Sequence, residues 1–430
     1  MNTAVVALGK IGLPLAVQIA SKGHRVFGAD ISPAVVDLIN KGEVPFPGET
    51  DLDTKLREVV DRGMLTATTD TADAVAQSEA VIVVVPLMTD GLGSPDFRAM
   101  DAATMDISRG LRSGSLVSYE TTLPVGTTRN RFQSMLEELT GMSVGTDIFL
   151  VHSPERVFSG RIFSDLRRYP KLVGGVDAAS TSKGVEFYKS ILDFDERTDL
   201  PRPNGVWAMD SAESAEMAKL AETTYRDVNI ALANEFARFA ESAGIDVNEV
   251  IEASNSQPFS HIHRAGVAVG GHCIPVYPRF YLAGDPDARL VATAREVNEA
   301  VPKRVVESVR QALGGLDGAR VLILGVAYRG GVKETAYSGA FSLRDELTGA
   351  GAIPFASDPL YTPEELVSLG FATFDGQAVD ALIVQADHPE YREIGPADFP
   401  GLRVVYDGRA ILDESSWAES GARVFVIGQG

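Results

Sequence analysis

The only cysteine of the chain, Cys273, lies in the segment G-G-H-C-I-P-V-Y-P, residues 270–278. Glycines before a thiol let a ligand approach the backbone closely and allow backbone angles that other residues avoid. A cysteine in this setting is either a small buried hydrophobic residue or a nucleophile. His272 precedes the thiol, but adjacency in sequence does not establish a contact. The rest of the chain must decide between the two interpretations.

A second candidate for chemistry is the glycine-bearing turn A-L-G-K-I-G at residues 7–12. It follows an apolar run and precedes a helix-like segment, the context of the dinucleotide-binding fingerprint G-x-G-x-x-G. Ala7 stands where the first glycine is expected, whereas Gly9 and Gly12 keep their places. Asp30 ends the next strand, 21 residues after Gly9, where its carboxylate can accept from both ribose hydroxyls and would repel the 2′-phosphate of NADP. The turn predicts NAD binding; the alternative is a tight turn with a solvated aspartate.

A dinucleotide site together with an activated thiol is typical of aldehyde oxidation. The thiolate adds to the aldehyde, a hydride leaves the thiohemiacetal for NAD, and water cleaves the thioester to an acid. The substrate class is constrained by a formal charge of −20, from 39 basic and 59 acidic residues. Such a surface argues against nucleic acid as a partner, because phosphate contacts need clustered Lys and Arg. A local positive site can still bind an anionic small molecule.

Other sequence features concern location and metal binding. There is no run of about 18 apolar residues, as a membrane span needs, and no basic N-terminal segment followed by an apolar block. One cysteine makes neither an intramolecular disulfide nor a cysteine-rich zinc site. We therefore expect a cytoplasmic enzyme with no membrane partner and no metal.

Several ordered motifs extend this interpretation along nearly the whole chain. They are G-K-I-G-L-P-L-A (9–16), E-T-T-L-P-V-G-T-T (120–128), S-P-E-R-V (153–157), P-K-L-V-G-G (170–175), E-M-A-K-L-A-E-T-T-Y-R-D-V-N-I-A-L-A-N-E (216–235), G-G-H-C-I-P-V (270–276) and L-G-V-A-Y-R (324–329). In these motifs the chain resembles the UDP-glucose/GDP-mannose dehydrogenase family, the nucleotide-sugar 6-dehydrogenases. The segments S-P-E-R-V-F-S-G-R and Y-R-D-V-N-I-A-L-A-N-E are most similar to the branch that acts on UDP-N-acetylhexosamines.

The resemblance implies oxidation of a sugar C6 alcohol to a carboxylate, with two NAD reduced per turnover. Cys273 matches the catalytic thiol, and Lys219 matches a lysine that stabilises the developing oxyanion and contacts the sugar. Glu155 matches a carboxylate that helps to manage water in thioester hydrolysis. Thr122 matches a hydroxyl that orients this water near the nicotinamide. Thr223, four residues after Lys219 and so on the same helix face, completes the implied catalytic set.

The resemblance also implies the residues that bind the two ligands. For NAD they are Gly9, Lys10, Ile11, Gly12, Asp30, Val85 and Thr122. For the UDP-sugar they are Glu155, Arg156, Val157, Lys219, Arg264, Gly270, Tyr328 and Arg329. By the same resemblance the protein is a homodimer with the long central helix as its spine.

Three positions depart from the family pattern. Thr223 replaces an asparagine, which gives up one amide donor beside the lysine. Tyr277 replaces an aspartate four residues after the thiol, which removes a carboxylate that could act as a base or hold the lysine. Ala336, in K-E-T-A-Y-S, replaces an arginine that reaches a neighbouring subunit's substrate, so that Arg329 and Lys333 become the alternative sources of positive charge.

Two other functions stay open beside the dehydrogenase. One is a redox-neutral or two-electron enzyme, an epimerase or an alcohol oxidase, that uses the same NAD site and the same donor. The three departures motivate this alternative. The other is a non-catalytic nucleotide-sugar-binding protein, against which the intact Cys273 and Lys219 argue.

Hydrophobic patterning predicts the elements that position these residues. Apolar runs alternate with helix-like segments in the first and last parts of the chain, which indicates parallel, doubly wound sheets. The strands are expected at residues 3–8, 24–29, 80–86, 115–119 and 147–152, and at residues 319–325, 352–357, 380–385, 403–406 and 423–427. The halves share an architecture but no tandem repeat.

The middle of the chain predicts a long helix. Between Gly205 and Gly244 there is neither glycine nor proline, and apolar residues recur every three or four positions. Such a helix would span roughly 45 Å or more. The predicted fold is α/β, with two doubly wound, Rossmann-like parallel-sheet domains joined by the long central helix and a helical middle domain. The expected domains are 1–195 for NAD, 196–305 for dimerisation with the cysteine loop, and 306–430 for the UDP-sugar.

Overall fold

Short runs of Val, Ile, Leu and Ala form two parallel-rich sheets in the computed structural model, which describes residues 1–90 and 93–430. The chain divides into two units, Met1–Ala221 and Glu222–Gly430, each with one of these sheets at its centre. The predicted α/β fold with two doubly wound sheets and a helical middle is confirmed. The three domain boundaries expected from the sequence stay predictions.

The described residues of the first unit, 1–90 and 93–221, form ten strands. They are β1 (Asn2–Val6), β2 (Arg25–Ala29), β3 (Leu65–Thr68), β4 (Ala80–Val83), β5 (Met88–Thr89), β6 (Pro95–Asp96), β7 (Leu116–Tyr119), β8 (Phe149–His152), β9 (Lys171–Gly175) and β10 (Val206–Ala208). Eight of them form one sheet in the order β10-β9-β8-β7-β4-β1-β2-β3, and β5 pairs with β6 as a small antiparallel ladder. The large sheet is parallel except between β8 and β9. Because β2 and β4 flank β1 on opposite sides, the chain reverses direction of winding at β1, where α/β folds bind nucleotides.

Helices connect these strands. They are α1 (Gly12–Ser21), α2 (Pro33–Asn40), α3 (Leu52–Asp61), α4 (Thr71–Ala76), α5 (Arg98–Gly110), α6 (Ser134–Thr140), α7 (Ile162–Arg168) and α8 (Ala178–Ile191), with a π-helical turn at Thr128–Gln133 before α6. The apolar faces of α1 and α8 cover the sheet with Leu13, Val17 and Phe187, all buried. The predicted strands of this part lie within a few residues of the observed ones.

The predicted long helix is α9 (Ala212–Ala243), 32 residues long and therefore about 48 Å. It begins in the first unit and continues into the second. Within the second unit one face of α9 is buried with Ala233, Ala237 and Ala240. No helix among residues 1–90 and 93–430 combines the length and the apolarity that crossing a membrane requires.

The sheet of the second unit is fully parallel. Its strands are β11 (Arg320–Leu324), β12 (Ile353–Ser357), β13 (Ala372–Thr373), β14 (Ala381–Val384), β15 (Val404–Asp407) and β16 (Arg423–Val426), in the order β13-β12-β11-β14-β15-β16. The helices are α10 (Val247–Asn255), α11 (Tyr277–Gly284), α12 (Arg289–Leu313), α13 (Gly339–Gly349), α14 (Pro363–Ser368) and α15 (Glu414–Glu419). The chain again changes side at the first strand of the sheet, since β12 and β14 flank β11.

Candidate active site

The glycine turn after β1 has the geometry of a nucleotide-binding loop. A side chain at Gly12 would place its Cβ 1.9 Å from the carbonyl oxygen of Ala7, so only glycine fits there. A Cβ at Gly9 would meet nothing within 4 Å, which leaves the approach to the loop open. Lys10 is exposed and Ile11 half-buried beside these glycines. The loop therefore leaves its outer face clear for a pyrophosphate at the start of α1.

Asp30 follows β2 and closes the same loop. Its Oδ2 accepts from the backbone N–H of Leu8 at 2.9 Å, and its Oδ1 accepts from the N–H of Ser32 at 2.9 Å. The carboxylate is thus fixed beside the turn, and each oxygen keeps a lone pair for a ribose hydroxyl. The open Gly9 position and the oriented Asp30 fit the adenosine half of NAD.

Thr122 is buried in the loop that follows β7. The neighbouring Thr121 Oγ1 donates to the carbonyl oxygen of Val85 at 2.7 Å, which joins this loop to another predicted NAD residue. The far end of the loop is held by Glu216 on α9, whose carboxylate accepts from the N–H of Gly126 at 2.5 Å and from the N–H of Thr128 at 2.8 Å. Burial raises the pKa of Glu216 to about 7 despite these hydrogen bonds.

Glu155, Arg156 and Val157 leave β8 together. The backbone N–H of Arg156 donates to Glu155 Oε1 at 2.7 Å, and its guanidinium donates to the carbonyl oxygen of Pro170 at 3.4 Å. Val157 packs against the core of the first unit. The backbone N–H of Arg156 therefore fixes the Glu155 carboxylate.

Lys219 and Thr223 are both buried on α9, one helical turn apart. The helix register thus places the threonine beside the lysine along the helix axis, as the sequence predicts. The two residues belong to different units, because the boundary falls at Ala221–Glu222.

Cys273 lies in the second unit in a loop that ends at α11, and the residue is half-buried. Its carbonyl oxygen accepts from the N–H of Tyr277 at 2.9 Å, so the loop turns directly into the helix. Tyr277 is the first residue of α11, and its ring lies 5.7 Å from the ring of Phe280. His272 Nε2 lies 3.3 Å from Glu334 Oε2, which gives this histidine a carboxylate partner.

The cysteine loop packs on the turn after β11, where two predicted substrate residues lie. A Cβ on Gly270 would come within 2.6 Å of the Tyr328 side chain, and Gly271, at φ +91°, has the Tyr328 ring at 3.2 Å from a Cβ position. The N–H of Gly271 donates to the carbonyl oxygen of Ala336 at 2.7 Å. Arg329 is exposed, and its Nε donates to the Tyr328 hydroxyl at 3.1 Å. The structure thus brings Gly270, the thiol loop and Tyr328–Arg329 together.

Ala336, at the departure from the family pattern, contributes backbone contacts: its carbonyl oxygen accepts from Gly271, and its N–H donates to Glu334 Oε1 at 3.2 Å. Lys333, one of the two cations that could replace the missing arginine, forms an ion pair with Glu365 at 2.5 Å. Arg329 is therefore the better candidate for supplying that positive charge. Arg264 is exposed at the other end of the loop. Its neighbour His263 donates its N–H to Asn229 Oδ1 on α9 at 2.9 Å.

Sequence reasoning missed the residues that fix the cysteine loop. Arg295 on α12 donates from Nε to Asp227 Oδ2 at 2.7 Å and from a terminal nitrogen to the carbonyl oxygen of Pro275 at 3.3 Å. Asn234 on α9 accepts from the N–H of Gly266 at 3.1 Å. Asp227 and Asn234 lie in the motif Y-R-D-V-N-I-A-L-A-N-E, so their seven-residue spacing on one helix face was the available signal. A cleft of about 370 Å³ is lined in part by Pro275, Arg295 and Tyr337.

Three family descriptions match successive parts of the chain. The NAD binding domain of the UDP-glucose/GDP-mannose dehydrogenase family matches residues 1–192, its central domain residues 213–300, and its UDP binding domain residues 322–414. The chain therefore belongs to the UDP-glucose/GDP-mannose dehydrogenase family. It is an NAD-dependent UDP-sugar dehydrogenase, and its cofactor is NAD, as the motifs predict.

Individual relatives agree over the full length. The chain is 34% identical over 423 residues to a UDP-N-acetyl-D-mannosamine dehydrogenase of Pyrococcus horikoshii, with 96% of each chain covered. The solved structure of the UDP-D-ManNAc dehydrogenase from Pyrococcus horikoshii matches with a TM-score of 0.90 and 32% identity, covering 100% of both chains. An NDP-N-acetyl-D-galactosaminuronic acid dehydrogenase from Methanosarcina mazei matches with a TM-score of 0.84 and 26% identity, covering 100% of this chain and 95% of that chain. The predicted similarity to the UDP-N-acetylhexosamine branch is confirmed.

Proposed function

We propose that this dehydrogenase oxidises the C6 alcohol of UDP-N-acetylmannosamine, or of a closely related UDP-N-acetylhexosamine, to the uronic acid. The observation that carries the proposal is the 34% identity, over 96% of both chains, to a UDP-N-acetyl-D-mannosamine dehydrogenase. The half-buried Cys273, in a loop fixed against Tyr328, supports the same chemistry.

The proposed reaction converts the alcohol, one water and two NAD to a carboxylate, two NADH and three protons. Bound NAD supplies a hydride acceptor for each oxidation. The Cys273 thiolate adds to the aldehyde carbon, loss of hydride from the thiohemiacetal leaves a thioester, and water then displaces the sulfur. The thiolate is regenerated, so one cysteine suffices for turnover.

Other side chains orient and stabilise the reacting groups in this proposal. The Lys219 ammonium stabilises the negative oxygen of the alkoxide and of the tetrahedral intermediates. Glu155 and Thr122 orient the hydrolytic water. Gly9, Gly12 and Asp30 hold the NAD. The substrate contacts expected from Arg156, Val157, Arg264, Gly270, Tyr328 and Arg329 are part of the same proposal.

The test is the number of NADH formed per sugar consumed. With UDP-N-acetylmannosamine the wild-type enzyme is expected to form two NADH and the uronic acid, read by absorbance and by mass spectrometry of the product. Cys273→Ala should form no uronic acid, because no thioester can form. Lys219→Met should lower the rate about 10²–10³-fold, whereas Lys189→Met, at an exposed position on α8, should not change it.

The outcome that contradicts the proposal is the absence of NADH with UDP-N-acetylmannosamine, UDP-N-acetylglucosamine, UDP-N-acetylgalactosamine and UDP-glucose alike. One NADH per sugar, or none with an epimerised product, would favour the redox-neutral or two-electron alternative. That alternative rests on Thr223 beside Lys219, on Tyr277 at the start of α11 and on Ala336. The family pattern has an asparagine, an aspartate and an arginine at these positions.

The proposal includes a homodimer formed through α9. The part of α9 in the second unit, residues 222–243, carries four exposed apolar side chains, Tyr225 (54% exposed), Leu232 (45%), Phe236 (39%) and Phe239 (63%). Their spacings of seven, four and three residues place them on one stripe of the helix. A second copy of α9 would cover this stripe about a two-fold axis. The lone free cysteine also fits the proposed reducing, cytoplasmic location.

A further inference from the structure

The first unit buries a lysine between two glutamates, one of which sequence reasoning did not single out. Lys171 Nζ lies 2.6 Å from Glu120 Oε2 and 2.9 Å from Glu155 Oε2. The Tyr188 hydroxyl donates to the other oxygen of Glu120 at 2.6 Å and lies 2.7 Å from Ser118 Oγ. Both carboxyl oxygens of Glu120 therefore have donors inside the protein.

The exposed fraction of the side chain rises from Glu120 through Lys171 to Glu155. The side chains are exposed by 0% at Glu120, 5% at Lys171 and 11% at Glu155. Glu155 is thus the member that solvent or a substrate can reach. One of its oxygens is held by Lys171 and the other by the backbone N–H of Arg156 at 2.7 Å. Its carboxylate is fixed at both oxygens and accessible at its edge.

Hydrogen bonds to backbone groups also hold the cluster in place. The N–H of Glu155 donates to the carbonyl oxygen of Glu120 at 3.1 Å, and Ser153 Oγ donates to the carbonyl oxygen of Leu172 at 2.8 Å. These hydrogen bonds join three chain segments at one end of the sheet: the residues after β7, the residues after β8 and the start of β9. The contact between Lys171 and the glutamates is therefore built into the fold.

Charge balance determines where the proton lies. Two ionised carboxylates with one ammonium would leave a buried net negative charge, which is costly. Burial, with the charge of Glu155 added, raises the pKa of Glu120 to about 7. Burial also acts to raise the pKa of Glu155, but the charge and hydrogen bond of Lys171, together with the hydrogen bonds of the Arg156 N–H and of Glu120, outweigh it and lower that pKa. Below about pH 7 Glu120 is therefore the group that carries the proton, and Glu155 is the carboxylate.

The other titratable groups around Glu155 do not change this balance. His152 at the end of β8 is neutral, because burial and the charge of Lys171 lower its pKa to about 3. The Tyr188 phenol on α8 is neutral, because burial raises its pKa well above the ordinary value. The Arg156 guanidinium donates to the carbonyl oxygen of Pro170. Lys171 is thus the cation in direct contact with Glu155 Oε2.

We propose that Lys171 and Glu120 are positioning residues for Glu155, fixing its carboxylate in the ionised form that takes the proton of the hydrolytic water. The inference rests on the proposed role of Glu155 in thioester hydrolysis. In that step the water oxygen bonds to the thioester carbon, its proton passes to Glu155, and the carbon–sulfur bond breaks to release the Cys273 thiolate. Lys171 and Glu120 touch neither water nor sugar in this scheme.

Three variants separate the roles. Lys171→Met should shift the low-pH limb of kcat upward by about 1–3 pH units, because Glu155 loses its adjacent cation. Its KM should stay near the wild-type value, and a Cys273-bound sugar should accumulate, visible by intact-protein mass spectrometry. Lys171→Arg should restore the wild-type limb. Glu120→Gln replaces a protonated, neutral carboxyl with a neutral amide, so its limb should stay near the wild-type position.

Two results would overturn the inference: an unmoved limb in folded Lys171→Met, or an upward shift in Glu120→Gln as large as in Lys171→Met. Thermal melting and NAD binding report whether each variant folds. If Lys171→Met does not fold, the double variant Lys171→Met/Glu120→Gln removes a lysine and a carboxyl together and should show the same upward shift. Lys189→Met serves as the control for loss of a lysine.

An infrared titration keeps this test separate from the proposed function. The carboxyl band that is absent from Glu155→Gln reports the ionisation of Glu155 without any turnover. The band should titrate at higher pH in Lys171→Met than in the wild-type protein. An unshifted band refutes the positioning role even in an enzyme that oxidises UDP-sugars, and a shifted band supports it even if the substrate is a different one.

Discussion

Asp30 illustrates how much a single side chain contributes to cofactor choice. Its two oxygens already accept from Leu8 and Ser32, so the carboxylate is oriented before any ligand arrives. Because it needs no reorientation, its hydrogen bonds to a ribose cost little conformational entropy. A phosphate at the 2′ position would meet this fixed negative charge directly.

Asp30→Ser is therefore expected to raise the KM for NAD roughly 10-fold or more, since hydrogen bonds to charged groups contribute about 1.5–3 kcal/mol. The preference for NAD over NADP should decrease at the same time, because the charge that repels the 2′-phosphate is gone. Initial rates with NAD and with NADP measure this preference. Asp61→Ser, at an exposed position ending α3, is the matched control. An unchanged preference for NAD would refute the role of Asp30.

Ala7 shows where sequence reasoning at this scale reached its limit. The sequence indicates only a small departure at the first glycine of the fingerprint. The structure gives Ala7 a φ of +74°, in the region that glycine adopts easily and alanine does not. The backbone conformation of the turn is thus kept without the glycine. Sequence could identify the turn, but only coordinates reveal this strain.

At the scale of elements, the two sheets stabilise their first turns in the same way. In the first unit the carboxylate of Asp30, after β2, accepts from the turn that follows β1. In the second unit Asp358, after β12, accepts from the N–H groups of Val326 and Ala327 at 2.8 and 3.1 Å, in the turn that follows β11. The two halves share this contact although the sequence has no tandem repeat. An aspartate at the end of a strand can be recognised in the sequence of both halves.

The cysteine loop depends on helix α12 through Arg295. Arg295→Met would leave Asp227 buried without its cation and release the carbonyl oxygen of Pro275, which should cost about 3–5 kcal/mol of unfolding free energy. The loop should loosen, so Cys273 should react faster with iodoacetamide in the native protein. Urea unfolding and the alkylation rate measure the two effects.

Arg310→Met on the same helix is the control for this prediction. Arg310 forms an exposed ion pair with Glu307, so its loss should leave both stability and thiol reactivity near the wild-type values. Equal alkylation rates in the Arg295 and Arg310 variants would contradict a role for Arg295 in holding the loop.

Strand β9 explains why one part of the site could not be predicted from the sequence. Its sequence K-L-V-G-G begins with a lysine and ends in two glycines, which strand patterning disfavours. A lysine at a strand end is also normally solvated. Lys171 is buried because its ammonium donates to the carboxyl groups of Glu120 and Glu155. These two residues lie 51 and 16 positions away in the sequence. Such a long-range pairing leaves no local signal.

At the scale of the whole molecule, the periodicity of α9 was predictable and its burial was not. The sequence indicates a single apolar stripe along the helix. In the structure Leu220 is buried, whereas Leu232, Phe236 and Phe239 are exposed. Periodicity does not distinguish a side chain covered by its own chain from one that another chain would cover. The exposed part of the stripe therefore carries the dimer proposal.

The double variant Leu232→Asp/Phe239→Asp is expected to be monomeric, because it would place charges into the proposed apolar contact. Light scattering coupled to gel filtration should give twice the chain mass for the wild-type protein and the chain mass for the variant. Val367→Asp, at a 62% exposed position on α14, should stay dimeric. A monomeric wild-type protein, or a dimeric double variant, would refute the helix-mediated dimer.

The solitary thiol also determines how the protein responds to oxidants. Peroxide converts a reactive thiolate to a sulfenic acid, which a nearby cysteine commonly captures as a disulfide before further oxidation. This chain has no second cysteine. Protection of an oxidised Cys273 therefore depends on small thiols such as glutathione or on a cysteine of another molecule. The same solitude makes the protein a one-to-one target for thiol-directed labels, with every label reporting on the candidate nucleophile alone.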